Sequence, residues 1–427
     1  MIAYFFIRLF TYLFRFLPYR AIHFLGKILG SFSFYFLTSY RKRALSNLAL
    51  AKDLHLSFSE VRSFAKKSFQ NLCITLLEYP KFASETHFEK VITCENPEIA
   101  NELYHQGKGI IFFCGHQSNW ETLFLDGTLR MKGVAIGKSI KNKKIYQWIV
   151  SIREKNGGKI IEPKNALKEG LKSLRKGIFL GILADQGMPS SNYSYPFLGR
   201  KAWTTTAPAL LSYKTNSPII VATTKRQKGH YYIRYSDPLF PDLTKDMEEE
   251  VQRLMNQLLS LFEESVKKNP EEWLWQHNRW KQQTPKVIYK EYRHDALCII
   301  LPEEEHFFEK ILPHLSTLRS IYERDFITLF VPEIFKNREL IPANEIVSYS
   351  SLQDLLQPDY RFKLVFNFSS YTQIKKHYKK LSAFEVLSLK DLEKIASVKK
   401  ISITNLSELF IQALCRPNTF SLKETHA

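Results

Sequence analysis

In the stretch GIIFFCGHQSNWE, Gly109–Glu121, an apolar run ends in a glycine and a histidine, and a glutamate follows five residues later. A histidine that titrates near neutral pH can take a proton from a hydroxyl as that oxygen attacks an acyl carbon. A carboxylate behind the ring fixes its tautomer and stabilises the imidazolium that forms. On one continuous helix a five-residue offset would turn the two side chains about 140° apart. The pair therefore predicts a strand-to-helix junction, with His116 in the turn and Glu121 in the first helical turn. SNWE reads as a capping box, Ser118 as N-cap and Glu121 at N3. The same residues also fit a plain helix cap, and H-x-x-x-x-E is a short pattern. If it is catalytic, it suits direct transfer from a thioester to a hydroxyl, with no acyl-enzyme.

Other chemistries fit worse. The chain has no G-x-S-x-G elbow, no H-E-x-x-H, no G-x-x-x-x-G-K-[ST] and no G-x-G-x-x-G. Cys114 alternates with core positions and reads as strand packing rather than as a nucleophile. The five cysteines are scattered, without a C-x-x-C pair, which argues against a disulfide framework or a zinc site and for a reducing compartment. No metal and no cofactor are expected.

The elements that must position His116 come from alternation. GIIFFCG (109–115) and GIFLGILADQ (177–186) read as buried strands, the second ending in Asp185 and Gln186. SPIIVATT and HYYIRYSD read as strands joined by a basic turn, and 246–268 as an amphipathic helix. The alternation predicts an α/β sandwich over residues 44–290. Past residue 290 no glycine occurs, and charges balance at 18 of each sign. There DALCIILP, DFITLFVP, NEIVSYSS, YRFKLVFNF and KKISITN read as strands of a second, smaller α/β domain, 294–427. It is expected to fold separately and to be dispensable for the chemistry.

The formal net charge of +19 thus lies entirely in the first 290 residues. Such a front half should seek an anionic partner: nucleic acid, anionic lipid or an acidic carrier protein. Its basic residues accompany long apolar runs rather than a nucleic-acid-binding motif, so no nucleic acid is expected. Residues 1–43 are aromatic and apolar, with Arg8 and Arg15 spaced to share a helix face and snorkel. Ala21–Tyr40 is just long enough to span a bilayer, although His23 and Lys27 interrupt it, and RKR at 41–43 would mark its cytoplasmic end. Gly26 and Gly30 give a G-x-x-x-G cue for close helix packing. Residues 1–43 are read as a membrane anchor, spanning or interfacial, and not as a cleavable signal peptide.

Several segments in order resemble the late acyltransferases of lipid A biosynthesis, the lauroyl/myristoyl transferase family. They are the aromatic, basic N-terminus, RKRALSNLALA, GHQSNWE, KGIFLGILADQ, PFLGRKAWTTTAPALLSYKTNSPII and PEEWLWQHNRWK, covering roughly residues 1–285. The resemblance implies transfer of a fatty acyl chain from acyl carrier protein to a hydroxyl of an anionic, Kdo-bearing glycolipid at the cytoplasmic face of the inner membrane. It implies His116 as base and Glu121 as its orienting acid. It also implies Arg153 as a substrate-site arginine and Asp185 and Gln186 as the family's DQ at a strand end; Thr204–Thr206, with Thr204 and Thr205 as candidate headgroup contacts, equally fit a helix cap. HNRW is expected to be structural. Alternatives are an acyltransferase acting on another glycolipid, such as a phosphoinositol mannoside, or a non-catalytic membrane scaffold.

Overall fold

The computed structural model describes Arg8, residues 12–398 and residues 403–417. The chain forms two compact units, the first gathering Met1–Leu37 with Ser63–Arg279, the second Thr38–Arg62 with Trp280–Ala427. These limits differ from the expected boundaries at 43 and 290. The RKR segment and the residues after it cluster with the C-terminal part.

The first unit opens with helix α1 (Tyr19–Phe36), which stops at Leu37, inside the expected apolar run. The second helix, α2 (Thr38–Leu50), belongs to the second unit. The third, α3, covers Phe58–Ser84. Gly26 and Gly30 let α1 lie directly on α3: a Cβ at Gly30 would sit 2.3 Å from the Gln70 Cα, and one at Gly26 2.5 Å from an Ile74 carbon. Among the described residues no single helix is long and apolar enough to cross a membrane; α1 and α2 pass such a test only taken together across the break. Of the expected Arg8–Arg15 face, Arg8 lies over the Trp148 ring (4.8 Å) and Arg15 over the Tyr12 and Phe16 rings (5.1 and 5.0 Å), while residues 9–11 lie outside the described residues.

A seven-stranded sheet follows. Its strands are β1 (Ile92–Cys94), β2 (Ile111–Cys114), β3 (Gly133–Ile136), β4 (Lys159–Ile161), β5 (Phe179–Leu183), β8 (Ile219–Gln227) and β9 (His230–Tyr235); β6 (Ser194–Phe197) and β7 (Arg200–Trp203) form a separate hairpin. The sheet order is β1-β9-β8-β2-β5-β3-β4, and every pairing is parallel except β8–β9. The central strand β2, IFFC, is buried along its whole length between β8 and β5, which is why it reads as an unbroken apolar run. The β8–β9 turn carries positive φ at Lys228 and Gly229 (50° and 89°), as a tight hairpin requires. Helices α4 (Glu98–His105), α5 (Glu121–Arg130), α6 (Lys143–Arg153), α7 (Ala166–Leu174), α8 (Ala207–Thr215) and α9 (Met247–Lys268) link or cover the strands. Asp246 caps α9 by accepting from the amides of Glu248 and Glu249.

In the second unit, strands β10 (Ala296–Ile300), β11 (Phe326–Pro332), β12 (Glu345–Tyr349), β13 (Leu364–Asn367) and β14 (Glu385–Leu387) form an all-parallel sheet ordered β12-β11-β10-β13-β14. Apolar clusters cover both of its faces. The fifth strand is Glu385–Leu387 and not KKISITN: Ile403, Thr404 and Asn405 carry no strand, and residues 399–402 lie outside the described residues. α2 joins this unit through Ser46, whose hydroxyl donates to the Arg361 carbonyl (2.8 Å), and Lys42, which donates to that of Ala383 (2.6 Å).

Candidate active site

Two neighbouring strands build the centre. The register of β2 and β5 places Cys114 opposite Leu183, so the second residue past each strand, His116 and Asp185, emerges side by side. Open parallel sheets place ligands at such strand ends. Gly115 permits the turn, since a Cβ there would fall 2.0 Å from the Phe262 ring.

Asp185 is the carboxylate behind the ring. Its Oδ1 lies 2.7 Å from His116 Nδ1, and its Oδ2 accepts from the His116 amide (2.8 Å) and from the Trp273 indole (2.7 Å). Burial alone would push the Asp185 carboxyl up, but the charge and hydrogen bonds of His116, with the Trp273 bond, bring it down to about 2. An ionised Asp185 fixes the proton on Nδ1 and leaves Nε2 as the accepting nitrogen. The Gln186 amide stands 3.4 Å from Nε2. The Trp120 ring packs edge-on against the imidazole, centroids 4.8 Å apart.

The structure corrects the expected pairing of His116 with Glu121. Glu121 faces Arg153 instead: Nε and Nη2 of the arginine donate to its two carboxylate oxygens at 2.7 and 2.5 Å. The Tyr79 hydroxyl (2.6 Å) and Trp120 indole (3.0 Å) complete its shell. Burial opposes ionisation of Glu121, yet the charge and hydrogen bonds of Arg153, with those of Tyr79 and Trp120, hold its carboxyl below the usual value. Arg153 answers in kind: burial would lower its pKa, but Glu121 raises it.

The expected capping box is absent as well. α5 begins at Glu121, and Trp120 at the cap position makes no side-chain capping bond. Ser118 sits in the left-handed region (φ 49°), and its amide is taken by the Glu272 carbonyl (2.8 Å). Asn119 takes over the capping work, accepting from the Glu121 amide through its side chain and from the Thr122 hydroxyl through its carbonyl.

His116, Glu121, Arg153 and Gln186 all line one cavity of about 420 Å³, within the usual size of a small-molecule site. The rest of its lining is largely apolar, with Phe112, Leu123, Phe124, Ile160, Phe179 and Ile182, while Lys138 adds a cation. Cys114 also lines it, but burial pushes that thiol up to about 12, so no thiolate is on offer. Thr204 and Thr205 do not join this lining. The Thr204 hydroxyl is fully buried, accepting from Arg279 (2.8 Å) and donating to the Ala202 carbonyl, and Thr205 accepts from the Ala207 amide. Arg279 itself is buried and bonded to the Trp203 carbonyl, a structural use of HNRW. Sequence reasoning missed Tyr79, Trp120 and Trp273. Of these, Trp120 lay inside the quoted motif and Trp273 inside PEEWLW, where a run of glutamates and tryptophans was the available signal.

A mostly parallel α/β sheet that ends in a histidine backed by a buried aspartate, open to an apolar cavity, is a framework suited to handling acyl chains. The chain belongs to the bacterial lipid A biosynthesis acyltransferase family, which it matches over residues 1–282. It is similar to the lipid A biosynthesis palmitoleoyltransferase of Escherichia coli K12, 23% identical over 274 residues, covering 62% of this chain and 86% of that protein. It is equally similar to a lipid A biosynthesis acyltransferase of Shigella flexneri, with the same identity and coverage. Acyl transfer in lipid A biosynthesis, from an acyl donor to a lipid A-type acceptor, follows from that membership. Residues 283–427 lie outside the match.

Proposed function

We propose that this protein is a membrane-bound O-acyltransferase that moves a fatty acyl chain from acyl carrier protein to a hydroxyl of a Kdo-bearing lipid A precursor at the cytoplasmic face of the inner membrane. The observation that carries the chemistry is the His116–Asp185 pair, whose histidine lines the apolar cavity together with Glu121, Arg153 and Gln186. The acyl chain occupies the apolar part of that cavity. His116 Nε2 takes the proton of the acceptor hydroxyl as its oxygen attacks the thioester carbonyl, while Asp185 stabilises the imidazolium. The ester bond forms, the carbon–sulfur bond breaks, and the imidazolium returns its proton to the departing thiolate. Glu121 holds the Arg153 guanidinium at the same cavity, where it can meet the developing oxyanion or a substrate phosphate. The basic front half suits an acidic carrier and an anionic lipid. The exposed apolar residues of α1 suit an interfacial anchor.

The test is an assay of purified protein with acyl carrier proteins of several chain lengths and a Kdo-bearing lipid A precursor. His116→Ala should lower turnover about 10²–10⁴-fold with circular dichroism unchanged. Normal turnover in that variant removes the general-base assignment; no transfer by the wild type to this acceptor, with transfer to another glycolipid, moves the acceptor.

A further inference from the structure

A second, larger cavity of about 750 Å³ lies in the first unit and shares no lining residue with the acyl cavity. α1 contributes Arg20, His23, Phe24 and Lys27; α3 contributes Lys67; and the β8–β9 hairpin contributes Arg226 and Lys228. Two carboxylates oppose these cations, Glu271 and Glu272. Glu271 lies 4.0 Å from Lys67, and burial pushes the Glu272 carboxyl up. Glu78 and Glu272 favour the charged form of buried Arg226, which leaves Arg20, Lys27 and Lys228 as cations with no ion pair among the described residues. Glu78 behind them meets His23 Nε2 (2.6 Å) and accepts from the Asn119 amide and the Tyr231 hydroxyl. Arg226 is held in place by the Asn71 side chain and the Tyr231 hydroxyl. The tight hairpin turn at Lys228 and Gly229 brings the chain against Arg20, 3.3 Å from where a Gly229 Cβ would sit. This is a preset basic cavity with surplus positive charge.

What lies next to it names its occupant. Phe24 lines the cavity and also heads a stripe along α1 (Phe24, Ile28, Phe32 and Phe36), spaced so that the side chains stack on one face. Phe24 is 64% exposed and Phe36 78%. Phosphate beside hydrocarbon is what a bilayer surface presents, and what a soluble phosphate does not. We propose that this cavity is a binding site for the phosphate group of an anionic membrane phospholipid, engaged while the α1 stripe lies in the bilayer interface. The proposal rests on the membrane-associated part of the function above and not on the acyl-transfer chemistry.

The test uses the full-length chain in detergent, titrated by calorimetry with dihexanoyl phosphatidylglycerol, dihexanoyl phosphatidylcholine and inorganic phosphate. Phosphatidylglycerol should bind most tightly. The exposed pair Lys27→Glu and Lys228→Glu should weaken it about five-fold or more per cation removed, and the milder Arg20→Gln should move it in the same direction. The control pair Lys168→Glu and Lys172→Glu, exposed on α7, should leave it unchanged. Equal loss in the control reduces the effect to diffuse charge and overturns the site. Inorganic phosphate binding as tightly as phosphatidylglycerol overturns the lipid assignment, as does displacement of phosphatidylglycerol by acyl carrier protein. His116→Ala should keep phosphatidylglycerol binding, so failure of the site and failure of the acyl-transfer reading show up separately.

Discussion

In the first unit, parallel neighbours β2 and β5 end together, and His116 just beyond β2 meets an apolar cavity with Asp185 buried behind its ring. In the second, β10 and β13 are likewise adjacent and parallel, at the point where the strand order reverses. Their ends are closed differently. Ser370 donates to Glu303, Tyr349 donates to the Leu301 carbonyl (2.6 Å), and Asn367 donates to the Tyr371 carbonyl (3.0 Å). Topology sets where a site can form in both sheets. Chemistry follows where the strand-end groups leave an atom facing a cavity, as His116 Nε2 does, rather than satisfying one another. The composition runs in parallel: the first unit holds glycines where backbone and ring approach, as at Gly115, and the chain past residue 290 has none.

The largest effect should come from separating the two carboxylates of the first unit. Asp185→Asn keeps the shape but no longer fixes the His116 proton on Nδ1, so turnover should fall about 10²–10⁴-fold with substrate binding nearly intact. Glu121→Gln leaves His116 and Asp185 alone and strands the Arg153 charge. It should lower thermal stability by about 3–5 kcal/mol, as breaking a buried pair does, and raise KM more than it lowers kcat. The reverse pattern, with Glu121→Gln crippling kcat and Asp185→Asn mild, would return the orienting role to Glu121.

That contrast also marks what the sequence could reveal. His116 and Asp185 are each visible as a polar residue at the end of an apolar run. Their partnership is not, because β3 and β4 intervene in the chain and only the sheet order brings β5 beside β2. Glu121 stands closer to His116 in sequence, and proximity along the chain misled the pairing. The capping box failed for a similar reason: tertiary partners of Glu121 and of the Ser118 amide outcompete the local bonds. The α/β alternation was legible from strand hydrophobicity, whereas β14, three residues long, carried too little pattern. The change in charge and glycine content near residue 290 was legible. That the segment 38–62 packs with the second unit was not, since nothing local in RKRALSNLALA says which core it serves.

The next effect tests that packing. A chain ending at residue 290 loses the partners of α2, whose Ala44, Leu45, Leu48 and Leu50 are buried. Burial is worth about 1.5–3 kcal/mol for each large apolar side chain. Residues 38–62 should therefore become sensitive to limited proteolysis, and soluble yield should drop. This departs from the expectation of a dispensable appendage. A protease-resistant, active chain ending at 290 would restore it.

Acid separates the units with opposite signs. Asp185 titrates near 2 in the fold, below its unfolded value, so its stabilisation is present above about pH 4 and is lost as pH falls toward 2. Asp325, in the second unit, is pushed up to about 7, chiefly by burial and also by the Asp295 charge, against the Thr284 hydrogen bond and Arg319. Its contribution is present below its unfolded value, near 4, and is lost as pH rises through 7. Asp325→Asn keeps an acceptor for the Thr284 hydroxyl and should stabilise the second unit by about 2 kcal/mol at pH 8, with little change at pH 4, read from denaturant midpoints. An equal gain at both pH values would mean that the neutral form is not the favoured one.

The smallest effect is the most local. Ser46 lies within RKRALSNLALA, inside the span matched by the acyltransferase family, yet it is fully buried and donates to the Arg361 carbonyl of the second unit. Ser46→Ala removes that donor with almost no change in volume and leaves one carbonyl lone pair unmet. Such a bond contributes about 0.5–1.5 kcal/mol. The loss should appear in the unfolding of the second unit, followed by hydrogen exchange at the amides of β13 and β14, which flank Arg361 and Ala383. Amides of β2 and β5 should keep their protection, and acyl transfer should keep its rate, because Ser46 does not line the acyl cavity. If instead β2 and β5 lose protection while β13 and β14 do not, then α2 is stabilised by the first unit, and the division of the chain at Leu37 and Ser63 is wrong.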